Sequence, residues 1–233
     1  MSHITLISKE GKEFDAYFVE ATTINAPGIV LVQEIFGVNA AMRTAAERWA
    51  SLGYNVICPD LFWRKEAGVD LEPSKPEEFA RGVELMQSMD EDLTVADLEV
   101  ARTWLARQIG NVRIAGLGYC WGGRLAVRMA ADTGVKCAVS YYGVGREQLI
   151  PATPASVVPT LLHIAALDSY VPEPVRETIL AAIKDKKGWE AHLYADCDHA
   201  FARPVACMLM RRLPSWPKNA HLHLCNNTLV KSW

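Results

Sequence analysis

Val112-Arg113-Ile114-Ala115-Gly116-Leu117-Gly118-Tyr119-Cys120-Trp121-Gly122-Gly123-Arg124-Leu125-Ala126 is the stretch that decides the fold. It opens as a short apolar run of strand type and closes as an apolar-periodic run of helix type. Between the two lies Gly118-x-Cys120-x-Gly122, the G-x-S-x-G nucleophile elbow with cysteine in the serine's place. The glycines follow from the geometry. A sharp strand-to-helix turn forces the central residue into a strained backbone conformation, and a side chain two residues to either side would clash. The product is a sulfur raised above a sheet edge at a helix start, where the dipole and the first N–H groups favour a thiolate and an oxyanion. Read blandly, the same residues make a glycine-rich β–α turn around a buried structural cysteine.

Upstream, residues 4–8 and 14–20 read as two strands joined around Gly11, an antiparallel hairpin at the sheet edge. Gly28-Ile29-Val30-Leu31-Val32-Gln33 is apolar on both faces, as a central parallel strand is. Glu34-Ile35-Phe36-Gly37 follows as a loop. Asn39 then caps a helix running to about Leu52, and Gly53 ends it. Tyr54-Asn55-Val56-Ile57-Cys58 is the next strand, stopped by Pro59-Asp60. Residues 61–76 are polar and irregular, and helices follow at 77–89 and 93–108. Beyond the elbow, a strand at 135–141 leads into Tyr142-Gly143-Val144-Gly145. Residues 147–159 read as a proline-rich loop, 159–165 as a strand, 173–184 as a helix and 189–194 as the last strand. Cys197-Asp198-His199 lies in the loop after it.

Strands alternating with helices predict an α/β fold, a doubly wound and mostly parallel sheet with right-handed crossovers and helices on both faces. Sites in such sheets lie at the carboxyl ends of the strands. Cys120, Asp168 and His199 each follow a predicted strand, in the nucleophile–acid–histidine order of the α/β-hydrolase fold. Three separate placements at one sheet edge are harder to explain by packing than the elbow alone. Asp196 and Asp198 lie too near His199 in sequence to fit that order. Asp168 before Ser169 also suits a plain strand-end turn. His163, inside an apolar strand, reads as a core histidine, and His192 as structural. Gly116-x-Gly118 approximates a dinucleotide fingerprint, but Cys120-Trp121-Gly122 breaks the spacing and the indole would crowd a pyrophosphate.

At 233 residues one large domain is the default, and residues 1–204 carry all of these elements. Half the residues are hydrophobic and 22% are charged, which suits a well-packed enzyme. A net charge of -3 leaves no basic footprint for nucleic acid. No apolar run approaches the ~20 residues of a membrane span. Residues 1–13 lack a signal-peptide core, which points to the cytoplasm. Cys58, Cys120, Cys137, Cys197, Cys207 and Cys225 show no C-x-x-C and no disulfide-framework spacing. They read as thiols, most of them small buried hydrophobes.

Five loop motifs extend the pattern: Gln33-Glu34-Ile35-Phe36-Gly37-Val38-Asn39, Cys58-Pro59-Asp60-Leu61, Gly118-Tyr119-Cys120-Trp121-Gly122-Gly123, Tyr141-Tyr142-Gly143-Val144-Gly145 and His199-Ala200-Phe201-Ala202-Arg203. Through them the chain resembles the dienelactone hydrolase (carboxymethylenebutenolidase) family, from the first strands to about Pro204. The resemblance implies a Cys-Asp-His triad carried by Cys120, Asp168 and His199, with no metal or organic cofactor. Similar proteins open an enol-lactone ring formed during catechol breakdown, giving maleylacetate. The resemblance also implies a glutamate beside the cysteine at Glu34 and oxyanion donors at the N–H groups of Ile35 and Trp121. It implies a ligand for the substrate carboxylate at Arg203. Taken without the resemblance, Glu34 is an exposed loop carboxylate, Arg203 a surface charge and Trp121 packing for the elbow helix. The expected partner is a small lactone or ester, and the expected state a monomer.

The chain also departs from the pattern. In similar proteins the helix near 77–89 gives a tyrosine and an arginine to the substrate. Here Val83 stands at the tyrosine position and Phe79 at the arginine position. Arg81 is the displaced candidate for that second role. Ala200 replaces a serine. The catalytic set thus matches better than the substrate-binding set, which keeps two alternatives open: a broader carboxylesterase or thioesterase, and an inactive binding protein on the same scaffold. From Val205 the match ends. The family closes with an alanine-rich amphipathic helix, whereas residues 205–233 carry Pro214, Pro217 and no clear period. This atypical tail reads either as out of frame or as a divergent end. His221-x-His223 within it mimics a metal pair without a third ligand.

Overall fold

The computed structural model describes residues 2–154 and 158–203. The chain forms two compact units that divide between Ile114 and Ala115. The tail from Val205 onward, with its His221-x-His223 pair, Cys207 and Cys225, lies outside the described residues.

The first unit holds strands β1 (Ser2–Ile7), β2 (Glu13–Val19), β3 (Gly28–Val32) and β4 (Asn55–Pro59), with helices α1 (Ala40–Ser51), α2 (Pro76–Gln87) and α3 (Glu91–Ile109). Its strand order is β1-β2-β4-β3. The first two strands form the expected antiparallel hairpin at an edge. β2 runs antiparallel to β4, and β4 parallel to β3. Every residue of β3 and β4 is buried, the two-faced burial that an uninterrupted apolar run calls for. Asn39 caps α1 as its sequence position suggests, its side-chain oxygen accepting the Met42 N–H at 3.1 Å. Asp90 does the same for α3, and Gly110 closes that helix in the left-handed region.

The irregular stretch after β4 is pinned by buried charge. Asp97 of α3 accepts hydrogen bonds from the Trp63 indole at 2.9 Å and from two Arg64 nitrogens at 2.9 and 2.8 Å. The loop after β3 is held as firmly. A Cβ at Gly37, whose φ is +76°, would lie 1.8 Å from the Val69 carbonyl oxygen. A Cβ at Gly82 of α2 would lie 2.4 Å from the Ile35 carbonyl oxygen. Both contacts fix the backbone on which Glu34 and Ile35 sit.

The second unit holds β5 (Ile114–Tyr119) from Ala115 onward, then α4 (Trp121–Asp132), β6 (Cys137–Tyr141), α5 (Arg146–Leu149), β7 (Thr160–Ala165), α6 (Glu173–Ile183) and β8 (Trp189–Tyr194). Its strands run β5-β6-β7-β8, all parallel. Val127, Ile150, Leu162, Ile164, Val171 and Ile179 form the core on which α4, α5 and α6 pack. The short helix α5 corrects the reading of residues 147–159 as loop throughout. Gly145 enters it in the left-handed region at φ 65°, and four residues are too few to show a 3.6-residue period.

The register sets Tyr119 opposite Tyr141, Tyr141 opposite His163, and His163 opposite His192. Their rings stack in one row across four strands, with centroid spacings of 5.0, 4.3 and 5.7 Å. His163 is fully buried, and its Nδ1 lies 2.8 Å from the Tyr194 hydroxyl. It is the buried core histidine its strand position implies. Among the described residues no helix is long and apolar enough to cross a membrane.

Candidate active site

Cys120 sits between β5 and α4 with φ 55° and ψ -120°, a conformation that costs a non-glycine residue about 1–3 kcal/mol. The flanking backbone explains how it is held. The Cys120 N–H donates to the Tyr141 carbonyl at 3.0 Å, and the Cys120 carbonyl accepts the Gly123 N–H at 2.9 Å. Trp121 opens α4, so its N–H belongs to the turn where a helix presents donors outward.

Gly118 is required by contact. A Cβ there would lie 1.9 Å from the Gly122 carbonyl oxygen, whereas the nearest atoms to one at Gly116 all belong to the flexible Met129 side chain, its sulfur at 3.1 Å. Gly118→Ala should therefore lose about 3 kcal/mol of stability and Gly116→Ala much less. Thermal unfolding of the two variants side by side checks this.

His199 and Asp168 meet in the second unit. The imidazole Nδ1 lies 2.8 Å from Asp168 Oδ2. The carboxylate is almost fully buried and the imidazole mostly so. Asp168 Oδ1 accepts the Tyr170 N–H at 2.9 Å, so both oxygens are fixed. Asp198, the near-sequence competitor, instead accepts the backbone N–H of His199 at 2.6 Å. Of the carboxylates the sequence offers, Asp168 is the one that meets the ring.

Two tyrosines flank the imidazole; Tyr142 belongs to one of the five loop motifs, though without an assigned role, and Tyr170 carried no sequence signal. Tyr142 and Tyr170 approach it edge-on, at centroid distances of 5.0 and 4.8 Å. Tyr142 is itself strained at φ 37°, and its N–H donates to the His163 carbonyl. Tyr141 thus accepts from Cys120 while its neighbour packs on His199. Tyr170 is 56% exposed and Leu167 61%, which gives the acid's loop an apolar, solvent-facing rim. Arg203 lies four residues past His199, half-buried, with its N–H donating to the Ala200 carbonyl at 2.9 Å.

The remaining predicted residues belong to the first unit. Glu34 is only 1% exposed, which overturns its reading as an exposed loop carboxylate. Ile35 beside it is buried as well. The Arg81 guanidinium is taken up by Glu66 at 2.7 Å and Glu84 at 2.6 Å on an open surface. Cys58, Cys120, Cys137 and Cys197 are buried thiols. Burial, and then the Asp60 carboxylate, pushes the Cys58 thiol well above the ordinary thiol range.

Strands crossed by helices, with a strained residue on a strand-to-helix elbow and a histidine–carboxylate pair in later loops, define the α/β hydrolases. The solved structure of an alpha-beta serine hydrolase homologue from Coxiella burnetii superposes with a TM-score of 0.66. It covers 90% of this chain and 93% of its own, at 15% identity. The dienelactone hydrolase family matches residues 14–212, and the chain belongs to it. The carboxymethylenebutenolidase of Pseudomonas putida is 36% identical over 201 residues, 86% of this chain and 85% of the relative. Carboxymethylenebutenolidase 1 of Cupriavidus pinatubonensis is 34% identical over 201 residues, 86% of each chain. The protein is accordingly a hydrolase acting on carboxylic ester bonds. The family match runs a few residues past Pro204, where the sequence motifs stop.

Proposed function

We propose that this chain opens small enol-lactones of the dienelactone type by nucleophilic catalysis through Cys120, as a cytoplasmic monomer. The observation that carries the reading is the 2.8 Å contact of His199 Nδ1 with buried Asp168, in the unit that also holds the strained Cys120. That contact leaves Nε2 as the nitrogen that can accept a proton.

The steps balance. The Cys120 proton passes to a neighbouring base, His199 in an ordinary triad, and the thiolate adds to the lactone carbonyl. The N–H groups of Ile35 and Trp121 serve the resulting oxyanion, each donor worth about 3 kcal/mol in comparable sites. The ring C–O bond then breaks and the enolate takes up the proton that left the thiol; water gives a proton to His199 as it attacks the thioester, the C–S bond breaks, and that proton returns to the sulfur. Arg203 holds the substrate carboxylate. Arg81 serves the same end only if it leaves Glu66 and Glu84.

Glu34 has no task in an ordinary triad. The family resemblance gives it one: it keeps the resting thiol neutral and takes its proton when a substrate carboxylate arrives. Glu34→Gln is expected to slow lactone turnover about 10²-fold while the melting temperature holds. Unchanged kinetics would remove Glu34 from the mechanism. Dienelactone assayed against p-nitrophenyl esters and thioesters tests the substrate class. A uniform rate across that panel would favour a broader esterase, and no turnover of any substrate would favour a binding protein.

A further inference from the structure

The turn that carries Asp168 also presents an apolar surface. Asp168 Oδ1 accepts the Tyr170 N–H at 2.9 Å, and the Asp168 carbonyl accepts the Val171 N–H at 3.2 Å. Together these bonds close a tight turn. Val171 goes inward from it, into the apolar cluster with Ile150 and Ile179. Tyr170 goes outward and is 56% exposed. A lone exposed tyrosine needs no explanation. This one sets its ring 4.8 Å from the His199 imidazole, at an interplanar angle of 66°. Tyr142, the other tyrosine ring against that imidazole, is 1% exposed and packs on Phe201 at 5.5 Å. The imidazole therefore has one tyrosine neighbour locked in the interior and one that a substrate can reach. Tyr170 supports Asp168 through its backbone N–H, which a change of its side chain leaves in place.

We propose that Tyr170 is a specificity-determining residue whose ring receives a flat, unsaturated group on the substrate's leaving oxygen, favouring enol and aryl esters over alkyl esters. The proposal rests on the triad reading above and narrows its substrate class. Any substrate that exchanges a proton with His199 comes against the imidazole, and Tyr170 is the accessible ring in contact with it. Flat π-systems gain from a neighbouring ring beyond the area they bury, which a saturated ring of equal size does not. An enol-lactone carries its leaving oxygen on such a flat frame. Phenyl acetate does too, and cyclohexyl acetate does not.

Steady-state hydrolysis of those two acetates tests the assignment. Both transfer the same acetyl group, so their kcat/KM values differ only through the leaving group. In Tyr170→Ala the phenyl-to-cyclohexyl ratio of kcat/KM should fall about fivefold, the size of one aromatic contact. Tyr170→Phe keeps the ring and should keep the ratio. Lost packing on His199 lowers both rates together and leaves their ratio alone, so the ratio separates recognition from support. Tyr170→Ser takes the place of the alanine variant if that does not fold.

A folded alanine or serine variant with the wild-type ratio would overturn the proposal. A phenylalanine variant whose ratio falls as far would overturn it too. Failure of the triad itself would show differently, as ester hydrolysis that survives Cys120→Ala. A titration without turnover covers that case. Phenol added to the wild-type protein should saturate the NMR shift of the His199 ring at about fivefold lower concentration than cyclohexanol, and the preference should vanish in Tyr170→Ala. Equal midpoints for the two alcohols in the wild type would also remove Tyr170 from recognition.

Discussion

Cys120→Ala is expected to lower hydrolysis of lactones and simple esters alike by at least about 10⁴-fold, since nucleophile loss in comparable triads removes most of the rate enhancement. The variant isolates the sulfur cleanly. Alanine keeps the Cβ, so the backbone at φ 55° bears the same strain before and after. The Cys120 N–H to Tyr141 and carbonyl to Gly123 hydrogen bonds are main-chain contacts and survive the change. The melting temperature should therefore stay close to that of the parent while the rate collapses. Cys120→Ser separates nucleophile strength from geometry, because a hydroxyl needs its base far more than a thiol does. Steady-state assays on both variants check the prediction. Retained turnover in the alanine variant would dismiss the sulfur as the attacking atom.

Asp168→Asn should cost about 10⁴-fold in kcat with little loss of fold. The amide can keep one oxygen on the Tyr170 N–H, where Oδ1 now accepts. Its NH2 then faces His199 Nδ1, where Oδ2 stands at 2.8 Å. An imidazole facing a donor must turn Nδ1 into the acceptor, which moves its proton to Nε2. That nitrogen can then no longer take a proton from a thiol. A variant with an unchanged rate would show that the pair only packs, whereas a collapsed rate in a protein that melts normally assigns it to proton transfer. The comparison with Asp198→Asn is informative, because that carboxylate accepts the His199 backbone N–H and makes no hydrogen bond to the ring among the described residues. Its loss should leave the rate within a few-fold.

What the sequence made legible was whatever one local rule controls. Asn39 and Gly53 bracket α1 by capping chemistry. The elbow is written by Gly118 and Gly122, and Asp168 was chosen over Asp198 by chain order alone. What stayed hidden depends on groups that meet only after folding. Tyr142 and Tyr170 lie 28 positions apart, yet both press on one imidazole. No spacing rule links them. Arg146, next to Gly145 and Glu147, has the look of a surface loop charge, but α5 carries it fully inside. The surroundings of Arg81 were hidden for a similar reason. Its partner Glu66 lies 15 residues away in a stretch without period, so the ion pair that occupies it could not be read from helix spacing. Glu34 reads as exposed because carboxylates nearly always are; the clamp on its loop from Gly37 and Gly82 is a product of tertiary packing.

The row of rings formed by Tyr119, Tyr141, His163 and His192 has a consequence for where chemistry can happen. Side chains on a strand change face at every residue, so sliding any one of these strands by a single position would throw its ring to the opposite side and split the row. Cys120 follows Tyr119 directly, and Asp168 stands five residues beyond His163. The stacked rings therefore act as an alignment key: they keep the mouths of two non-adjacent strands level, so that a sulfur and a carboxyl group carried on separate strands start from heights that the sheet itself has fixed.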